Sequence, residues 1–342
     1  MSQNRIFFLD GLRAVATIAV LAQHYLEYVA HDTFRPFLSL GPGVFGVVLF
    51  FFISGYVIPF SVKNGLVPVN FLTRRVFRIF PLFLCVLFCI TVLGLVGIPP
   101  YDARLARLDG FDYLANVLLL FEYTGSPAML GVSWTLSIEF AWYVLFMVYF
   151  LAYGHRRVTE ASLLFSAGMI ALAGVSYLLE ARMPFGRLGM LNAALMGYVF
   201  CCWHLGESTR ARAFTAAGGF VVATVVCQYV GFAAMEHHNI TFLSASVSWT
   251  TATAVFLVVC SVPALRNTRF WQNAVIGKIG ELSFSIYLVH APVMIVLANV
   301  LSGTALFVVA LICTYAISEL TFRYVEMPGN RLGRNIPRLL KA

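Results

Sequence analysis

The chain has 342 residues, of which 60% are hydrophobic, 15% aromatic and only 11% charged. A soluble domain carries about 25% charged residues, and mean hydropathy here is +0.85. Long apolar runs account for the excess, so a soluble globular domain is excluded. An all-α, polytopic transmembrane helical bundle is expected instead.

A span needs about 20 apolar residues. Ten segments meet that ruler: 6–30, 43–61, 79–98, 132–153, 161–180, 188–206, 213–235, 240–263, 279–299 and 302–322. The apolar stretch 111–124 is too short and is expected to lie on, or dip into, the membrane surface. The first run carries an internal arginine and is about 25 residues long, which reads as a span rather than a cleaved signal peptide. No repeat, low-complexity tract or long polar linker interrupts the chain, so one integral membrane domain is expected over 1–342.

The formal charge of +8 first suggests nucleic acid, but its distribution is topological. With the N-terminus in the cytoplasm, 17 of the 23 basic residues fall on that side. They are Arg5, Lys63, Arg74, Arg75, Arg78, Arg156, Arg157, Arg210, Arg212, Arg266, Arg269, Lys278, Arg323, Arg331, Arg334, Arg338 and Lys341. Both termini are therefore expected in the cytoplasm, and no nucleic-acid partner is. The seven cysteines lie in apolar stretches without metal-ligand spacing, so neither a metal site nor a disulfide framework is expected.

Ionisable groups inside spans are costly and are functional candidates by default. The first span holds Arg13 and His24. Eleven residues at about 100° per residue put both on one helix face, about 16 Å apart. The plain alternative is a snorkelling arginine and a histidine bonded to a neighbouring helix. In the second span Ser54, Gly55 and Tyr56 interrupt an apolar helix, most simply for close packing. Arg74, Arg75 and Arg78 precede the third span. They either obey the positive-inside rule or grip the phosphates of a cytosolic ligand. Glu139, in the fourth span after Trp134, falls at about the depth of His24, and the two are expected to pair. In the ninth span Ser283, Tyr287 and His290 form one polar stripe. Of the other histidines, His31, His155, His237 and His238 fall in predicted loops and His204 at a span end, and none reads as catalytic.

Taken in order, Arg13-x10-His24, FFFISGY, RRVFRIFP, SWTLSIEF, SFSIYLVHAP and the terminal ELTFRYVEMP resemble the membrane-bound acyltransferase-3 family. The motifs cover about residues 1–150 and 276–331. The resemblance implies an O-acyltransferase of a bacterial cytoplasmic (inner) membrane. It would take an acyl group, usually acetyl, from cytosolic acyl-CoA to a hydroxyl of a carbohydrate or other cell-envelope glycan. It also implies that His24 is the catalytic histidine, Arg13 its companion, Arg75 and Arg78 a basic pair suited to CoA phosphates, and Glu139 the motif acid. Phe284 departs from the pattern, standing where a tyrosine is more usual. Whether His24 acts as base or as acyl carrier is left open. A proton-coupled small-molecule exporter is the rival reading of intramembrane His, Glu and Arg, although no repeated halves are evident.

Overall fold

The computed structural model describes residues 6–29, 31–235 and 241–339. Arg5, Lys341, His237, His238 and the span ends at 30 and 240 lie outside them. The described residues are helical, with no strand. In chain order the helices are α1 (Phe7–Val29), α2 (His31–Leu38), α3 (Pro42–Ser61), α4 (Pro68–Leu95), α5 (Tyr101–Leu105), α6 (Gly110–Val117) and α7 (Phe121–Thr124). They continue as α8 (Trp134–Tyr153), α9 (Val158–Leu178), α10 (Phe185–His204), α11 (Arg210–Gln228) and α12 (Phe242–Ser261). Last come α13 (Pro263–Arg266), α14 (Ala274–Leu297), α15 (Gly303–Thr321) and α16 (Met327–Leu339).

Among the described residues, nine helices are long and apolar enough to cross a membrane, so the chain is an integral membrane protein. The expectation was ten, and the difference is α1. Its 23 residues would span about 35 Å, but Asp10, Arg13, Gln23, His24 and Glu27 dilute its apolar face. The third span also differs. Its helix starts at Pro68 rather than 79, because proline suits the first helical turn and arginine propagates a helix well. Arg74, Arg75 and Arg78 therefore ride on α4 itself. The stretch 111–124 is two short helices separated at Leu119, whose φ is 58°. His31, expected in a loop, opens α2.

The chain divides into two compact units. The first comprises Met1–Gln23, Asp32–Gly65 and Val144–Gly280. Within it α3 packs closely on α10. A Cβ on Gly55 would collide with the Ala194 backbone, and one on Gly197 with the Phe52 carbonyl. Small residues at such a crossing let backbones approach where lipid offers no hydrophobic drive, as read for Gly55 from sequence. Phe52 then stacks on Phe256 at 4.6 Å and meets Phe220 edge-on.

The second unit comprises His24–His31, Leu66–Tyr143 and Glu281–Ala342. Here α16 lies along α4, with Gly329 against Pro81 and Gly333 against Phe77. Tyr25, Met294, Leu306 and Ala310 form a buried apolar cluster, and the Tyr25 hydroxyl bonds Thr314 and the Ala310 carbonyl. An apolar cavity of about 330 Å³ lies between α4, α14 and α15, lined among others by Cys85, Cys89, Val289, Pro292 and Cys313.

Candidate active site

Most of the residues singled out from sequence fall in the second unit. α1 delivers His24 to it, half exposed, with Nδ1 3.5 Å from a Glu27 carboxylate oxygen one turn on. α14 delivers His290, which is 0% exposed. The two imidazole rings lie 5.3 Å apart between centroids, inclined by 33°. Neither the spacing nor the composition of α1 and α14 announces this meeting.

Tyr287, one turn before His290, ties α14 to the start of α8. Its hydroxyl donates to the Val132 carbonyl at 2.9 Å and lies 2.8 Å from the Thr135 hydroxyl. Ser283 and Ser285 are buried on the same helix, so the polar stripe faces protein. Trp134 is half-buried at the first position of α8.

Glu139 does not pair with His24. No hydrogen bond or ion pair joins them among the described residues. Tyr143, four residues on and hence on the same helix face, donates its hydroxyl to Glu139 instead. The ring of that tyrosine also carries the Arg75 guanidinium, 5.4 Å from its centroid, while Phe71 supports it at 5.1 Å. The charge of Glu139 thus acts on Arg75, Arg78 and Tyr287. Equal depth along two spans would not fix azimuth, and α8 turns Glu139 towards the arginines.

Arg78 is ion-paired with Glu326, a carboxylate 1% exposed that also accepts from Ser285 at 2.7 Å. The ring of Phe284 lies 5.2 Å from the same guanidinium, a cation–π contact that phenylalanine serves as well as tyrosine. Arg75 and Arg78 therefore share the influence of two carboxylates, Glu139 and Glu326. Arg74 is exposed, and Arg75 and Arg78 are both half-buried, so exposure singles out Arg74 towards an incoming anion. Among the described residues, no group of three or more His, Cys, Asp or Glu is placed to hold a metal ion.

The remaining candidates belong to the first unit. Arg13 donates to Asp10 at 2.9 Å, and the Thr17 hydroxyl donates back to its carbonyl. α1 is unbroken from Arg13 to His24, so the shared face read from their spacing holds. Tyr56 is buried, with its hydroxyl 2.8 Å from His204 Nδ1, and Ser54 is half-buried. The groups missed from sequence were Asp10, Glu27 and Tyr143. All three stand three or four residues from a named partner, a spacing that could have found them. Glu326 belongs to the terminal ELTFRYVEMP motif but stands 248 residues from Arg78, and no local pattern marks their pairing.

The acyltransferase-3 model, described as an acyltransferase domain, matches residues 6–323. The chain is 23% identical to the peptidoglycan O-acetyltransferase OatA of Listeria monocytogenes, over 97% of the chain and 57% of that protein. It is 27% identical to BcsY of Komagataeibacter xylinus, named as a candidate membrane-bound transacylase, over 96% of the chain and 83% of that protein. The O-acetyltransferase OatA of Staphylococcus aureus matches at 23% identity, over 95% of the chain and 57% of its own length. The chain thus spans little more than half the length of the OatA proteins it matches. No solved structure matches it. With a match running through nearly all the described helices, the chain belongs to the acyltransferase-3 family.

Proposed function

We propose that this protein is an integral membrane O-acyltransferase of a bacterial cytoplasmic membrane, with both termini in the cytoplasm. Its donor is acyl-CoA, acetyl-CoA first, and its acceptor is a hydroxyl of a carbohydrate or cell-envelope glycan. The observation that carries the reading is the half-exposed His24 imidazole beside Glu27 and the buried His290, in a chain of an acyltransferase family. Relatives named O-acetyltransferases, one of them of peptidoglycan, support the acetyl group and the glycan.

Transfer from a thioester to an alcohol breaks a C–S bond, forms a C–O bond and moves the hydroxyl proton to the departing thiolate. His24 is suited to both proton movements. A carboxylate at Nδ1 favours the proton there and leaves the Nε2 lone pair facing the reacting groups. In the direct route Nε2 takes the proton as the hydroxyl attacks, then returns it to the CoA sulfur. In the covalent route Nε2 attacks the thioester first, and the C–S bond breaks to release the CoA thiolate. The acyl-imidazole then yields its acyl group to the acceptor oxygen, whose proton leaves to the thiolate. Arg74 and Arg75 hold the donor's phosphates, with Arg78 set beside them by Glu326, because guanidinium matches phosphate geometry. Glu139 fixes Arg75 through Tyr143, and Arg13 lines the α1 face that leads to His24.

The test is release of free CoA thiol by the purified protein in lipid nanodiscs, given acetyl-CoA with and without soluble envelope glycans. Acceptor-dependent thiol release is expected. A protein that consumes no acetyl-CoA with any glycan sinks the reading, and an exporter would behave in that way.

A further inference from the structure

His290 presents an observation that a packing role leaves unexplained. Its Nδ1 lies 2.7 Å from the Tyr287 carbonyl oxygen and 3.1 Å from that of Ile286, both on its own helix. Carbonyl oxygens only accept, so Nδ1 carries the ring proton and Nε2 carries the lone pair. Nε2 lies on the ring edge turned away from the α14 backbone, is buried, and has no hydrogen-bond partner among the described residues. Buried acceptors are almost always satisfied, and exceptions call for an explanation. The two nearby phenols do not serve it: Tyr25 is bound to Thr314 and the Ala310 carbonyl, and Tyr287 to Thr135 and the Val132 carbonyl.

The neighbouring ring is that of His24, 5.3 Å away. With Glu27 at its Nδ1, His24 also presents a lone pair at Nε2. Two adjacent imidazole acceptors, with no donor between them among the described residues, select a ligand that brings two O–H groups. We propose that His290 is a specificity-determining residue whose Nε2 accepts a hydrogen bond from a second hydroxyl of the acceptor, beside the hydroxyl that His24 deprotonates. The acceptor class is then a vicinal diol, such as neighbouring ring hydroxyls of a sugar, rather than an isolated alcohol. The assignment rests on the transferase reading and deepens it.

No covalent step is added. The second hydroxyl keeps its proton, orients the acceptor and is released with the product. A site built to accept from a substrate hydroxyl discriminates strongly against the analogue lacking it, by up to about 10⁴-fold where the group is left buried and unpaired.

The experiment uses the full chain in nanodiscs with acetyl-CoA. The probes are a panel of methyl hexosides and N-acetylhexosaminides, each paired with derivatives lacking one hydroxyl next to the acylated position. Wild type should acylate the diol at least a hundredfold faster in kcat/KM than its deoxy partner. His290→Leu should drop to the deoxy level on both, and His290→Gln, whose side-chain carbonyl can replace the Nε2 acceptor, should recover part of the preference. Equal use of diol and deoxy acceptors by wild type, or preference retained in His290→Leu, overturns the assignment and leaves the transferase reading standing. No thiol release with any probe overturns both. Should His290→Leu fail to fold, the wild-type diol and deoxy comparison decides alone.

Discussion

Arg78 on α4 is bound to Glu326, at the turn into α16, across 248 residues of sequence. The carboxylate is 1% exposed and also holds Ser285 of α14. One buried anion thus ties three helices of the second unit together beneath the arginine row. The pair gives Arg78 a structural task as well as any part in binding a ligand.

Removing one partner from a buried pair strands the other charge and costs about 3–5 kcal/mol. Glu326→Ala should therefore lower stability by about that amount. The double replacement Arg78→Met/Glu326→Met should cost much less than the sum of the single changes. Thermal unfolding of the four proteins in one detergent measures the coupling. Additive losses would show that the pair contributes nothing.

A donor held by Arg74 and Arg75 loses charge-assisted hydrogen bonds when either is truncated. Each such bond is worth about 1.5–3 kcal/mol, which is roughly 10- to 150-fold in affinity. KM for acetyl-CoA should rise within that range in Arg75→Ala and less in exposed Arg74→Ala. Titration of CoA against the purified variants checks this, and unchanged affinity in both would place the donor elsewhere.

His24→Ala should lower acyl transfer by about 10²–10⁴-fold, the usual yield of a positioned general base, with the protein still recovered folded from membranes. Glu27→Gln, which keeps shape but loses charge, should give a smaller loss. Glu139→Gln should act on donor affinity rather than on the chemical step, because it holds Tyr143 and its charge acts on Arg75. A Glu139→Gln defect confined to kcat would contradict that division.

Gly55→Leu and Gly197→Leu should each destabilise the first unit, since both side chains would enter the α3–α10 crossing. Overpacking of this kind costs about 1–3 kcal/mol. Thermal unfolding reads it, and wild-type stability in both variants would mean that the helices separate without penalty.

His155 lies between α8 and α9, where burial lowers its pKa below the ordinary 6.5. Tyr198 sits 3.1 Å from its Nδ1. The folded protein therefore binds fewer protons there than the unfolded chain. Its contribution to stability is complete above about pH 6.5 and declines as pH falls towards the folded pKa. His155→Phe should flatten the acid side of the stability profile below pH 6.5, and an unaltered profile would contradict this.

Membrane class, nearly all the spans and the identity of His24, Arg13 and Glu139 as candidates were legible in sequence. Each is a local property: hydropathy is summed over adjacent residues, and a charged group inside an apolar run stands out on its own. Short-range partners such as Asp10, Glu27 and Tyr143 were legible in principle, because helix geometry places residues three or four apart together. Only the tertiary structure decided which stripe faces which. It set His290 beside His24, turned Glu139 from the histidine to the arginines, and supplied Glu326 to Arg78 from the far end of the chain. Span length fixes how deep a residue sits, but rotation about the helix axis is settled by packing against neighbours. The lone pair on His290 gains meaning only once that packing is known.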